Sequence, residues 1–337
     1  MPGVKSLRRI QLGKESTPGS AVAATTRWRG TGVLKDERKI DEVDEDVGIL
    51  GGTDRTNIPD LGASIDIAST PLTFEQFQYI LAMAMGGPTT GSADGAGSDK
   101  IYTTTIPTTA LPTLQPYTVE GGDNAEVEFI EYAICSKFDL TGAPGKAVQL
   151  GATLNGRQVQ RLAGGFSAAT LPTVEDALFG KSKVYLDAIG GTSGTTQVQN
   201  AVLGYKLNFS FPTVFKKTAD GQLYFSFPQY VDQEIGGEIT FEHDTIVLGA
   251  SGAKLDWRAQ TPKLLQIKIE GANVTTPGTA YSKKTIIINL PIKWKVANPL
   301  SDMNRNDTVK MTFRARYNTT AGTAGNIIVV NELSALP

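Results

Sequence analysis

Two stretches near the C-terminus constrain the fold more than any others. In TIIINLPIKWKV, Ile286, Ile288, Leu290, Ile292, Trp294 and Val296 occupy alternate positions, with Asn289, Lys293 and Lys295 between them. In DTVKMTFRARY, Val309, Met311, Phe313, Ala315 and Tyr317 alternate with Lys310, Thr312, Arg314 and Arg316. A period of two sends successive side chains to opposite faces of a strand. One apolar and one wet face predict antiparallel pairing around a core. Pro291 interrupts the first run and predicts an edge or a bulge there.

The middle of the chain repeats the pattern. EVEFIEYAICSKFDL and AVQLGATLNGRQV flank TGAPGK, whose Gly142, Pro144 and Gly145 suit a tight hairpin. A phase shift between Phe129 and Ile130 predicts a bulge in the first of these strands. Asp220-Gly221 predicts a second turn, with the phrase Phe-Ser-Phe-Pro on both sides at 209–212 and 225–228. One helix is signalled, in TPLTFEQFQYILAMAMGG. Thr73 and Gln76 make a capping box and Leu72 and Phe77 a staple. Phe74, Phe77, Leu81 and Ala84 form an apolar stripe, and Gly86 is the left-handed stop. With 36 Gly and 17 Pro for turns, the expectation is an all-β protein: an antiparallel β-sandwich or barrel with one flanking α-helix and extended arms and loops.

Familiar chemistries fail on spacing. GKES at Gly13 and GKSK at Gly180 lack the upstream glycine of a phosphate loop, holding Arg8 and Glu175 there instead. In DEVDEDVG, Asp44 and Asp46 alternate, but the central glycine and closing glutamate of a calcium loop are missing. His243 is the only histidine; in phase with Ile239 and Phe241, it reads as a packed strand residue. Cys135 has no partner for a disulfide and reads as a buried, inert thiol. No catalytic, metal or cofactor-binding residues are assigned. The N-terminus lacks the apolar core of a secretory signal, and no apolar run is long enough for a spanning helix.

The net charge of −2 hides an uneven distribution. Lys5, Arg8, Arg9, Lys14, Arg27 and Arg29 lie in a basic N-terminal segment, and Asp41, Glu42, Asp44, Glu45 and Asp46 follow in an acidic run. Blocks of this kind belong to solvated loops or interaction tails. We take these eleven residues as candidates for contacts between subunits. The segment GKESTPGSAVAATTRWRG is then expected to be an arm ordered by a partner, so that deleting residues 1–20 spares the fold. Residues 31–337 form a single domain, with an insertion or decorating loop around 158–200.

Four stretches carry a family resemblance: KESTPGSAVAATTRWRG, the capped helix, CSKFDLTGAPGKAVQLGATLNGR and VKMTFRARYNTTAGTAGNIIVVNEL. Together they resemble the tail tube (major tail) proteins of long-tailed bacteriophages, over residues 1 to about 155 and from about 263 onward. The resemblance implies a β-sandwich with a flanking helix whose subunits form rings, usually hexameric, that stack into the hollow tube through which DNA is delivered. It implies a virion protein made in the host bacterial cytoplasm. Its partners would be other copies of itself, a tape-measure protein inside the tube, tail terminator and baseplate proteins at the ends, and DNA in transient passage. Two independent features agree. A conduit should not hold phosphates tightly, and this chain carries no excess of positive charge. A head-to-tail stack joins two different surfaces of one chain, which opposite charge blocks suit.

The competing class is another virion or surface β-module, for capsid decoration or carbohydrate binding. Trp28, Trp257 and Trp294 are scattered along the sequence instead of clustered as a sugar platform. A third class, a β-sandwich hydrolase, needs two acids about 5–10 Å apart in a pocket.

Overall fold

The computed structural model describes residues 2–243, 252–303 and 305–337. One antiparallel sheet dominates, and the strand Val127–Gly142 is its pivot. The first part of this strand pairs with Tyr117–Gly122 and Val159–Arg161, the rest with Gln149–Gly156 and Val202–Ser210. The register slips between Ile130 and Ala133, where Tyr132 takes φ +55°, and again between Cys135 and Lys137. The bulge expected at Phe129/Ile130 therefore lies just beyond it. An inserted residue bends the strand, and here the bend redirects it from one set of neighbours to another.

From the pivot the sheet extends both ways. Gln149–Gly156 passes to Ala63–Pro71 and then to Gly32–Asp36. On the other side Val202–Ser210 passes to Glu234–Glu242, Asn306–Ala315, Lys283–Ala297, Lys263–Asn273 and Ser182–Ala188. The alternation of the two C-terminal runs holds: Ile286, Ile288, Leu290, Ile292, Trp294, Val309, Met311, Phe313 and Ala315 are buried. Val296 and Tyr317, at the ends of those runs, are exposed.

Pro291 is neither on an edge nor at a bulge. It sits inside a central strand, buried, where one neighbour hands over to another: Thr285–Asn289 pair with Asn326–Val330, and pairing with Asn306–Ala315 begins at Ile292. A residue without an N–H is tolerated in a sheet where the ladder is interrupted.

Helix α1 (Phe77–Met85) begins as the sequence directs. Thr73 Oγ1 accepts the Gln76 N–H at 3.2 Å, and Gly86 closes the helix at φ +67°. All nine residues of α1 are buried, so the helix lies within the core and not across its surface. Phe77 meets Phe138 edge-on at 5.9 Å, and Phe138 stacks on Phe209 at 4.5 Å, joining helix to sheet. Gln76 does not complete a capping box. Its amide donates to the Arg27 carbonyl at 2.8 Å and accepts the Arg29 N–H at 2.9 Å, fastening the N-terminal segment to the helix.

A second helix, α2 (Ala253–Ala259), was not expected. Its seven residues are too few to show a helical stripe, and it ends at Gln260 in the left-handed conformation. The two Phe-Ser-Phe-Pro copies do not face each other. Thr213–Lys216 pairs with Phe227–Tyr230, setting Phe215 opposite Pro228, while Phe209 belongs to the main sheet. The Asp220-Gly221 turn is present, with Gly221 at φ +84° and the Asp220 carboxylate accepting from Thr218 and Ser226 hydroxyls at 3.0 and 2.5 Å.

Residues 158–200 are woven into the body. Val159–Arg161 and Ser182–Ala188 are paired strands, Thr170 bridges to Thr26, and the Phe179 ring packs on Tyr205 at 5.6 Å.

Candidate assembly surface

The basic N-terminal segment does not stand off the protein. Arg9–Lys14 is a full strand of the sheet, paired with Tyr117–Gly122 on one side and with Thr26–Arg27 on the other. Ile10, Leu12, Ala24 and Trp28 enter the core. Two buried glutamates hold the intervening turn. Glu15 accepts the N–H groups of Tyr132 and Gly19 at 2.8 and 2.7 Å and the Thr118 hydroxyl at 3.0 Å. Burial pushes the Glu15 carboxyl above its usual range, against the pull of those donors. Glu120 accepts from Ala24 N at 2.9 Å, Gln11 Nε2 at 3.1 Å and Ser167 N at 3.0 Å. The expectation of an arm shaped only by a partner fails for residues 9–30, because these internal contacts already shape it.

The six basic candidates are consequently dispersed. Lys5, Arg8 and Arg9 are exposed, with the Arg9 guanidinium 4.7 Å from the Phe166 ring. Lys14 donates to the Leu336 carbonyl at 3.1 Å, and Arg29 donates twice to the Pro172 carbonyl, at 3.0 and 2.8 Å. Arg27 is half-buried.

The acidic candidates share one feature. Asp41 and Glu42 lie in Lys39–Glu42, which among the described residues pairs only with Thr56–Asp60 and stands apart from the main sheet. Asp44, Glu45 and Asp46 lie in the loop joining the two strands. Glu45 is tied to Arg55 and to the Thr53 hydroxyl, and these contacts hold its carboxyl below the usual range. Asp41, Glu42, Asp44 and Asp46 remain exposed. Ile40, Val47, Ile49 and Ile58 are exposed alongside them, and Leu50 at the tip is wholly so. The base of the hairpin is fixed by the Lys39–Asp60 pair at 3.1 Å, by Lys217 against Asp60, and by Leu61 N–H donating to the Leu223 carbonyl at 3.0 Å. A charge run marks the carboxylates in the sequence, whereas the apolar residues on either side of it show no periodic pattern. The Ile49-Leu50 pair ahead of Gly51-Gly52 was the available signal.

An isolated two-stranded hairpin is marginally stable in water, and exposed apolar edges invite pairing with another chain. This hairpin therefore has the composition of a contact element: an apolar tip with exposed carboxylates beside it.

Two residues weighed for chemistry differ in outcome. Cys135 is buried, with its thiol pushed up to about 12 by desolvation. His243 is exposed just past the end of Glu234–Glu242, its N–H on the Asp307 carbonyl at 2.9 Å, so it does not pack in phase with Ile239 and Phe241. Among the described residues no three His, Cys, Asp or Glu side chains cluster as metal ligands, and no helix is long and apolar enough to cross a membrane. No protein-family model matches the chain, and no curated protein is significantly similar to it.

Proposed function

We propose that this chain is a structural subunit that self-assembles into stacked rings, the hollow tail tube of a long-tailed bacteriophage. The observation that carries the reading is the hairpin at residues 39–60. It exposes five large apolar residues beside four exposed carboxylates on a two-stranded sheet with no further partner strand among the described residues. Contiguous exposed apolar surface rimmed by polar groups marks a protein contact. Stacking supplies such a contact at every subunit and keeps the array open along one axis, since hairpin and receiving surface are different parts of one chain. The broad antiparallel sheet supplies the second requirement, a stiff wall whose packed core is independent of the contact. On this reading the ring is hexameric, as in the family the sequence resembles, and the tape-measure protein and DNA occupy its lumen in turn.

Negative-stain electron microscopy of the purified chain, across protein concentration and salt, tests this. Rings or hollow rods are expected. Uniform monomers at every concentration, with or without tail-tip extract as initiator, would overturn the reading; a clear hit on a glycan array would favour a carbohydrate-binding module.

A further inference from the structure

The packed N-terminal segment leaves the acidic hairpin without the basic partner the sequence suggested. A different basic surface exists. Lys293, Lys295, Arg314, Arg316 and Tyr317 line one hollow on the wet face of the sheet, beside the end of α2. Lys293 lies directly opposite Arg314 across the strand pair. Like charges in that position are destabilising. The only carboxylate paired with this group among the described residues is Glu234, 3.7 Å from Arg314 and itself largely exposed. The neighbouring Lys310 shows the contrast, with Glu238 at 3.1 Å. The hollow also presents apolar surface, because Tyr317 is 53% exposed.

We infer that this hollow receives the acidic hairpin of a second copy of the chain. The two surfaces match in both respects that a contact needs. Four cations face the exposed Asp41, Glu42, Asp44 and Asp46, and Tyr317 offers a ring to Ile49 and Leu50. Self-complementarity of two different patches on one chain gives a head-to-tail contact, which continues without closing unless rotation brings it round. The charges set register and encounter rate, while the apolar tip and the tyrosine hold the docked state. The contact rests on the self-assembly reading above and specifies which surface is used.

The test is disulfide trapping in the full-length chain, for which buried Cys135 is a silent background. Leu50→Cys and Tyr317→Cys proteins are mixed at low salt under mild oxidation, with Leu50→Cys plus Leu171→Cys as the control, since Leu171 is equally accessible at 54% exposure. The 50–317 pair is expected to cross-link roughly tenfold faster than the control, and Lys293→Glu with Arg316→Glu should remove the advantage, as should high salt. Equal rates for the two pairs would overturn the inference whether or not rings are seen. Rings without 50–317 cross-links would leave the tube reading standing and place the hairpin elsewhere. Loss of duplex DNA retention in the Lys293→Glu/Arg316→Glu protein, with cross-linking unchanged, would make the hollow a nucleic-acid surface and also overturn it.

Discussion

Asp94 and Asp99 bury their carboxyl groups close together, although both lie in the Gly- and Ser-rich loop TTGSADGAGSDK, and neither Asp99 oxygen meets a hydrogen-bond donor among the described residues. The Asp94 oxygens accept the N–H groups of Ala280 at 2.9 Å and Tyr281 at 2.7 Å, so Asp94 fastens this loop to the one at 275–281. Ser98 adds a second tie, through the Glu332 carboxylate at 2.7 Å and the Thr276 N–H at 3.0 Å. Burial pushes both carboxyls up, but the backbone N–H groups draw Asp94 below its usual range. Asp99 has no such help from the facing loop. Its own backbone and Lys100 pull against burial and the adjacent Asp94, and its carboxyl stays raised.

The pair gives a pH dependence with a definite sign. A raised carboxyl stabilises the fold fully below the unfolded value of about 3.9, and that contribution is lost as pH rises through the folded value. Asp94, lowered, contributes above the unfolded value and loses its contribution as pH falls through its folded one. Asp99→Asn keeps the shape of the side chain and removes the second charge beside Asp94. Hydrogen exchange at 94–99 and 275–281 should accelerate with rising pH beyond the intrinsic rate in the natural chain, and follow the intrinsic rate in the Asp99→Asn protein. Identical profiles would show that ionising Asp99 beside Asp94 costs the fold nothing.

Truncation separates the N-terminal turn from the strand behind it. Residues 2–7 are exposed, so removing them should leave the denaturant midpoint unchanged. Removing residues 1–20 takes away the strand Arg9–Lys14 and uncovers Tyr117–Gly122. Loss of Ile10 and Leu12 burial alone is worth about 3–6 kcal/mol. Equal midpoints for both truncations would contradict the packing described above.

Glu15→Ala should destabilise strongly for a single surface-proximal change. It strands the half-buried Tyr132 and Gly19 N–H groups, at about 1–3 kcal/mol for each that water does not reach. Ser16→Ala, next door and exposed, is the control and should be neutral within about 0.5 kcal/mol. Chemical denaturation followed by tryptophan fluorescence reads the difference.

Hairpin substitutions should dissociate assembly from folding. Ile49→Ser with Leu50→Ser, or reversal of Asp41, Glu42, Asp44 and Asp46 to lysine with Glu45 kept on Arg55, alters only exposed positions of the hairpin. Melting temperatures should stay within a degree or two, because exposed substitutions usually shift stability by under about 0.5 kcal/mol. Rods or rings should disappear in electron micrographs. Normal rods from both variants would remove the hairpin from the contact.

Much of this molecule was legible in the chain itself. Alternation marked Lys283–Ala297 and Asn306–Ala315, turn residues marked the hairpin between Gly142 and Gln149, and Thr73 and Gly86 bracketed α1. These are local signals, fixed by backbone geometry over a few residues, and the sequence by itself determined them. It also located the acidic run, though not the apolar residues that make its hairpin a contact surface. Tertiary structure alone decided what pairs with what. Gln76 left its own cap for Arg27 and Arg29, Glu15 and Glu120 pulled a polar, glycine-containing segment into the body, and a low-complexity loop acquired two buried aspartates. Each depends on at least one partner from about 50 to nearly 190 positions away, as Tyr132 is from Glu15 and Ala280 from Asp94. Periodicity carries no information over that range, so the basic segment looked free in sequence and is bound in the fold.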